Sequence, residues 1–168
     1  MTAVDEQFFA EYVRENQERF YRLAYGYSRN SHEALEVVSE AIVKGFLKLG
    51  TLREPEHLKT WFYRILVNES LNSLRRAKRL VLMDALPERA DEGGLSREEA
   101  MDLRGALGRL EPKIRTVIIL RFYEGMKLEE IAEVTGSRLS TVKSRLYRGL
   151  ELLRLDLSQE EAENADGK

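Results

Sequence analysis

Apolar residues recur at intervals of three and four from Phe8 almost to Leu157, and alternating apolar and polar runs bounded by turn residues are scarce, so the pattern predicts an all-α chain. The spacing predicts a first helix through Phe8, Phe9, Tyr12 and Val13 and a second through Phe20, Leu23, Ala24 and Tyr27. A third follows Ser31 as N-cap, with Val38, Ile42, Phe46 and Leu49 along one face and Gly50 as its stop. Pro55 suits the first turn of a fourth, which carries Leu58, Trp61, Ile65 and Leu66 into the basic cluster Arg75, Arg76, Lys78 and Arg79. Periodicity then breaks at "MDALPERADEGGL", where Pro87, Gly93-Gly94 and an excess of acids give the composition of a solvated, flexible linker. It resumes at Ser96, which forms a capping-box signature with Glu99 for a helix reaching about Leu110. Pro112 begins another helix, with Ile114, Val117, Ile118 and Phe122 inward and Gly125 ending it.

These breaks divide the 168 residues into a first domain over 1–82, a linker over 83–95, a second domain over 96–157 and an acidic tail over 158–168. The tail, "SQEEAENADGK", has no apolar residue beyond alanine and is expected to be frayed or disordered. No internal repeat is visible. Two small domains fit this length, since a compact unit needs roughly 50 residues to bury a core.

"LEEIAEVTGSRLSTVKSRLYRGLELLR" places Leu128, Ile131 and Ala132 before a turn at Thr135-Gly136-Ser137, and Val142, Leu146, Leu150 and Leu153 after it. That is the pattern of two short helices crossing steeply, with small Ala132 at the approach and Gly136 supplying the positive φ of a tight turn. Helical stepping buries Val142, Leu146, Gly149 and Leu153 on the second helix. Ser140, Ser144, Tyr147 and Arg148 then face outward, flanked by Thr141, Lys143 and Arg145. A polar, basic, donor-rich face suits a helix that enters a DNA major groove. Periodicity alone also fits a plain helical hairpin with a solvated basic face. In the first domain, aromatic residues beside positive charge (Trp61, Phe62 and Tyr63 next to Arg64, then Arg75 to Arg79) match what single-strand capture needs, because a stacked base contributes about 1–3 kcal/mol. Trp61 reads more readily as core than as a stacking platform, while Asn68 reads equally as structural and the arginines equally as complements to a helix C-terminus.

The formal net charge is only -2, so the electrostatic argument is local. There is no cysteine, which excludes a disulfide framework, a thiolate zinc site and a cysteine nucleophile, and fits a reducing compartment. No apolar run reaches the roughly 18–20 residues that span a bilayer, and "MTAVDEQFF" lacks a basic, then apolar, leader; the expectation is a soluble cytoplasmic protein without direct membrane insertion. His32 and His57 lie on separate segments without HExxH spacing, and neither a glycine-rich phosphate loop nor a nucleophile elbow is present. The chain is therefore expected to be no enzyme, with no metal, no cofactor and no small-molecule substrate.

The stretches "LEEIAEVTG" and "STVKSRLYRGLELLR" closely resemble the region-four helix-turn-helix of the extracytoplasmic-function sigma factors, and "TWFYRILVNESLNSLRR" resembles their region-two helix. The resemblance covers nearly everything from Phe8 to Leu155. It implies two small helical domains, sigma regions 2 and 4, with core RNA polymerase, promoter DNA and an anti-sigma factor as partners. It implies that Ser140, Thr141, Lys143, Ser144, Arg145, Tyr147 and Arg148 serve the minus-35 element, and Trp61, Tyr63, Arg64, Asn68, Arg75 and Arg76 the minus-10 element. The loop "GTLREPEH" would receive a flipped base. Glu36, Val38, Ser39, Glu40 and Val43 would meet polymerase, with Ser39 where the family commonly has Gln and Ile42 where it has Phe. A helix-turn-helix regulator that binds duplex DNA without joining polymerase is the alternative.

Overall fold

The computed structural model describes residues 4–83 and 105–166. The expected linker, but for Met83, and the Ser96–Glu99 capping box lie outside the described residues. All regular structure among the described residues is helical.

Helix α1, Glu6–Ser28, is continuous where the spacing suggested two helices. Nothing between Val13 and Phe20 breaks a helix, so one stripe of Phe9, Val13, Phe20, Leu23, Ala24 and Tyr27 is buried along its length. Asp5 caps it by accepting from the Phe8 amide at 2.7 Å, and Arg29 closes it in the left-handed conformation. Helix α2, Ser31–Lys48, is capped by Asn30 rather than by Ser31, since Asn30 is the extended residue whose side chain accepts from the Glu33 amide.

Its inner face is also not the one expected. Ala34, Val37, Val38, Ala41 and Gly45 are buried, whereas Ile42 and Phe46 sit at the margin. Small residues win that face because α2 lies close against α1: a Cβ on Gly45 would stand 2.5 Å from the Phe9 ring. Two 3-10 turns, Leu49–Thr51 and Pro55–His57, lead into helix α3, Leu58–Met83. Phe62 from α3 completes an aromatic centre with Phe9 at 5.5 Å and Phe20 at 4.7 Å between ring centroids.

The second half begins with a helical stretch over 105–109, then α4, Pro112–Ile118, which passes into a π turn, Ile119–Tyr123. The wider turn inserts an extra residue, so the inward positions become Val117, Ile118, Ile119 and Leu120, followed by Met126, while Phe122 points outward against expectation. Helices α5, Leu128–Thr135, and α6, Leu139–Asp166, complete the fold. Helix α6 runs well into the expected disordered tail, because Gln, Glu and Ala are good helix formers even without an apolar face.

Both halves feed one contiguous apolar cluster. Ile119 packs where a Cβ on Gly26 would intrude, and Arg115 donates to the Tyr27 carbonyl at 3.0 Å, while the Tyr27 hydroxyl is bonded to Thr116. Gly45→Ala is expected to destabilise the protein by about 1–3 kcal/mol, because the Phe9 ring is locked by its neighbours and cannot yield cheaply. Urea denaturation checks this, and an unchanged midpoint would contradict the close approach of α1 and α2.

Candidate nucleic-acid interface

The α5–α6 pair is built as its sequence suggests. Gly136 caps α5 at φ 65°, and the Ser137 amide returns to the Ala132 carbonyl at 3.1 Å. Arg145 donates to the Ser137 hydroxyl at 3.0 Å, so this arginine braces the turn rather than standing free. Val142, Leu146 and Gly149 are buried, with Ile114 and Ile118 filling the space beside Gly149. Ser140, Lys143, Ser144, Tyr147 and Arg148 are exposed, Tyr147 by 69%, and Thr141 is half-buried. The Ser144 hydroxyl bonds back to the Ser140 carbonyl, and Arg148 meets Glu151 at 3.4 Å. An exposed pair of that kind is worth about 0–1 kcal/mol and is readily given up to a phosphate or a base edge.

On α3 a helical step of about 100° places Trp61, Arg64, Asn68, Asn72, Arg75, Arg76 and Arg79 on one side. All but the half-buried Trp61 are exposed. The stripe links two cavities over about 27 Å. The first, about 360 Å³, lies between the Pro55 turn and the start of α3 and is walled by Thr51, Leu52, Arg53, Glu54, His57, Thr60, Trp61 and Arg64, with Glu133 of α5 on its rim. Trp61 serves both the core and the cavity: its ring stands 5.9 Å from Phe9, and its indole N–H donates to Thr51 at 3.2 Å. The second, about 410 Å³, is a groove of Lys44, Asn72, Arg75, Arg76 and Arg79, with Glu40 and the buried Glu69, which holds Lys44 in an ion pair. Lys44 and Asn72 are not among the residues expected from the sequence, although the helical wheel through Trp61 and Arg75 includes Asn72; Arg79 belongs to the basic cluster already read as suited to single-strand capture.

Tyr63 is not with them. It lies about 200° around the helix from Trp61, is 1% exposed, and its hydroxyl donates to Glu124 at 2.6 Å. Val38 likewise faces the core at 8% exposure, so it offers no docking surface, whereas Glu36, Ser39, Glu40 and Val43 are exposed. Leu35 and Leu47 join Ser39 and Val43 at four-residue spacing in an exposed line along α2; Leu47 is 80% exposed. An exposed apolar line is the signal of a docking face, and Leu35 and Leu47 carry more of it than Val38.

Burial pushes the Glu124 carboxyl above its ordinary range, and the Tyr63 hydrogen bond with the cations Arg19, Lys59 and Arg22 draws it back only in part. Burial also raises the Tyr63 and Tyr27 hydroxyls, so both remain protonated donors. Among the described residues no group of three acids or histidines could hold a metal ion, and no helix is long and apolar enough to cross a membrane.

The family model for Sigma-70 region 2 matches residues 12–80 and that for Sigma-70 region 4 matches residues 100–153. The chain is 43% identical over 150 residues to the RNA polymerase sigma factor SigV of Bacillus subtilis (strain 168), covering 89% of this chain and 90% of that one. It is 34% identical over 165 residues to the ECF RNA polymerase sigma factor SigE of Mycolicibacterium smegmatis, covering 92% of this chain and 63% of that longer relative. The chain belongs to the extracytoplasmic-function sigma factors of the sigma-70 family. The sigma factor RpoE of Bartonella quintana, solved in complex with the anti-sigma factor NepR, superposes on this sigma factor with a TM-score of 0.73 at 25% identity, over 89% of this chain and 96% of that one. A region-2 match alongside region 4 disfavours the stand-alone regulator, which would need only the helix-turn-helix.

A carboxyl raised as Glu124 is prefers its proton in the buried junction, so its contribution is full in acid and declines as pH rises through the raised value. Glu124→Gln still accepts from Tyr63 without that titration. The unfolding free energy of the variant should therefore gain on wild type from acid to neutral pH, and parallel curves would contradict the assignment.

Proposed function

We propose that this sigma factor engages core RNA polymerase through the exposed side of α2 and reads the minus-35 element with α6. It then receives a minus-10 base in the Trp61 cavity while α3 holds the adjoining strand. The observation that carries this is the pairing, in one chain, of two outward polar and basic faces with separate geometries. One is a short rod on a helix-turn-helix, suited to a major groove. The other is a stripe that joins an aromatic-walled cavity to a groove of arginines, suited to a single strand. Of the residues matched by motif, Tyr63 supports the site from the core, Val38 supports α2 and Arg145 braces the turn; the proposed contact sets are otherwise as matched, with Leu35 and Leu47 added to the polymerase face. The chain performs no covalent chemistry of its own, needs no cofactor, and works in the cytoplasm beside DNA. A partner of the anti-sigma class is part of the proposal, supported by the likeness to a sigma factor solved with one.

Run-off transcription with purified core polymerase on a randomised promoter library tests the whole reading, and no core-dependent transcripts would overturn it. Within that assay, Arg148→Ala is expected to weaken minus-35 use by about 1–3 kcal/mol and to relax specificity at one position. Lys143→Ala should instead lower affinity for all sequences and reduce the salt slope by about 1. Unchanged promoter use by the first variant, or an unchanged salt slope in the second, would remove that residue from the interface.

A further inference from the structure

Glu69 stands on the inner side of α3, between the buried Leu66 and Ser70, with only 6% of its side chain exposed. A leucine would fill that place without desolvating a charge, and a buried ion pair is often no more stabilising than its apolar replacement. Stability therefore does not account for the carboxylate. What it does is hold Lys44, whose Nζ donates to Glu69 Oε1 across the space between α2 and α3. The next residue, Gly45, lets α2 press on the Phe9 and Phe62 rings, which fixes the rotation that brings Lys44 to α3. Lys44 nevertheless keeps 41% of its side chain exposed, so the pair has one end in the core and the other in solvent. The exposed end lines the groove whose other cations, Arg75, Arg76 and Arg79, all come from α3. An ammonium has three N–H donors, and one committed to Glu69 leaves two for anionic oxygens. A lysine free on a helix surface gives up rotamer entropy when it settles on a phosphate, whereas a tethered one has already lost it in folding.

We propose that Glu69 is a positioning residue for strand capture. It presets the Lys44 ammonium to take a backbone phosphate from the α2 wall of the groove, across from the α3 guanidiniums, so that the melted strand is gripped by two helices. The inference rests on the reading of that groove given under Proposed function and names the pair of residues that sets its geometry. It also carries a sign that charge alone does not. A carboxylate in a cationic groove repels a polyanion, so by charge alone its removal tightens strand binding. Removal of the tether that aims the ammonium loosens it.

The test uses holoenzyme assembled from core polymerase and the full chain, titrated with a fluorescent fork-junction DNA. The probe's duplex carries the minus-35 element, and its single-stranded overhang is one that the wild-type holoenzyme selects from a randomised pool. Lys44→Gln is expected to weaken overhang binding about fivefold and to lower the salt slope by about 0.7, the share of one phosphate on a single strand. Glu69→Leu is expected to weaken it about threefold with a fall in the same slope, because the ammonium is no longer aimed. The double variant should be no weaker than Lys44→Gln alone, since both changes remove one shared contact. Unchanged or tighter binding by Glu69→Leu, or losses that simply add in the double variant, would overturn the positioning role. Should either single variant fail to fold, the double variant decides, because it leaves no buried charge unpaired; overhang binding with the wild-type affinity and slope would then overturn the proposal. Arg75→Gln with Arg76→Gln probes the groove itself. If that pair leaves overhang binding intact, the reading under Proposed function fails and the inference falls with it; if it weakens binding while Lys44→Gln does not, the Lys44 contact alone is overturned.

Discussion

The arrangement depends on a buried guanidinium that meets carbonyls and, among the described residues, no carboxylate. Arg115 donates to the carbonyls of Tyr27, Gly108 and Leu110, the last turns of α1 and of the stretch before α4, at 3.0 Å each. Burial lowers its pKa, and the neighbouring Arg29 lowers it further. What makes the site tolerable is the partial negative charge at helix C-termini, which stands in for an anion. Satisfaction is incomplete, since the Nε atoms of both arginines find no partner among the described residues. A buried charge held by carbonyl dipoles is costly, so the two halves are joined by a contact that is specific in geometry and modest in net strength. Such a contact holds the two halves, each with its own exposed basic face, in a defined register.

Inside each half the logic is one of small residues under large ones. Gly45 admits the Phe9 ring beside α2, and Gly149 admits Ile114 and Ile118 beside α6. These close approaches fix how each helix is rotated, and rotation decides which side chains reach solvent. The rod on α6 exists because Val142, Leu146 and Gly149 are covered, and the stripe on α3 exists because Phe62, Tyr63, Leu66 and Val67 face the other way. Under the proposed function, grip on promoter DNA comes from these two weak surfaces linked in one chain, each raising the effective concentration of the other.

Much of this was legible in the sequence, and the exceptions share a cause. The faces of α6, the turn at Gly136 and the breadth of helix follow from local periodicity and from residues whose backbone needs are local. Tyr63 and Val38 are different: each stands between a buried apolar neighbour, Phe62 or Val37, and an exposed polar one, Arg64 or Ser39, and what decides the side of Tyr63 comes from afar, from Glu124 just past the π turn and from Phe20 on α1. The inward rotation of α2 depends on a ring 36 positions earlier in the chain, and the outward swing of Phe122 depends on a single inserted turn that spacing alone does not reveal. Glu133 at the Trp61 cavity is the extreme case, because no local pattern links an acid on a helix-turn-helix to a pocket in the other half.

Spin-label distances between cysteines introduced as Gln17→Cys on α1 and Glu129→Cys on α5, in a chain with no other cysteine, measure most directly whether the halves close and part. The account predicts one narrow, short distribution for the free sigma factor and a longer one once core polymerase and promoter DNA are bound. A distribution that polymerase and promoter leave unchanged, or one already long and broad in the free chain, would contradict it.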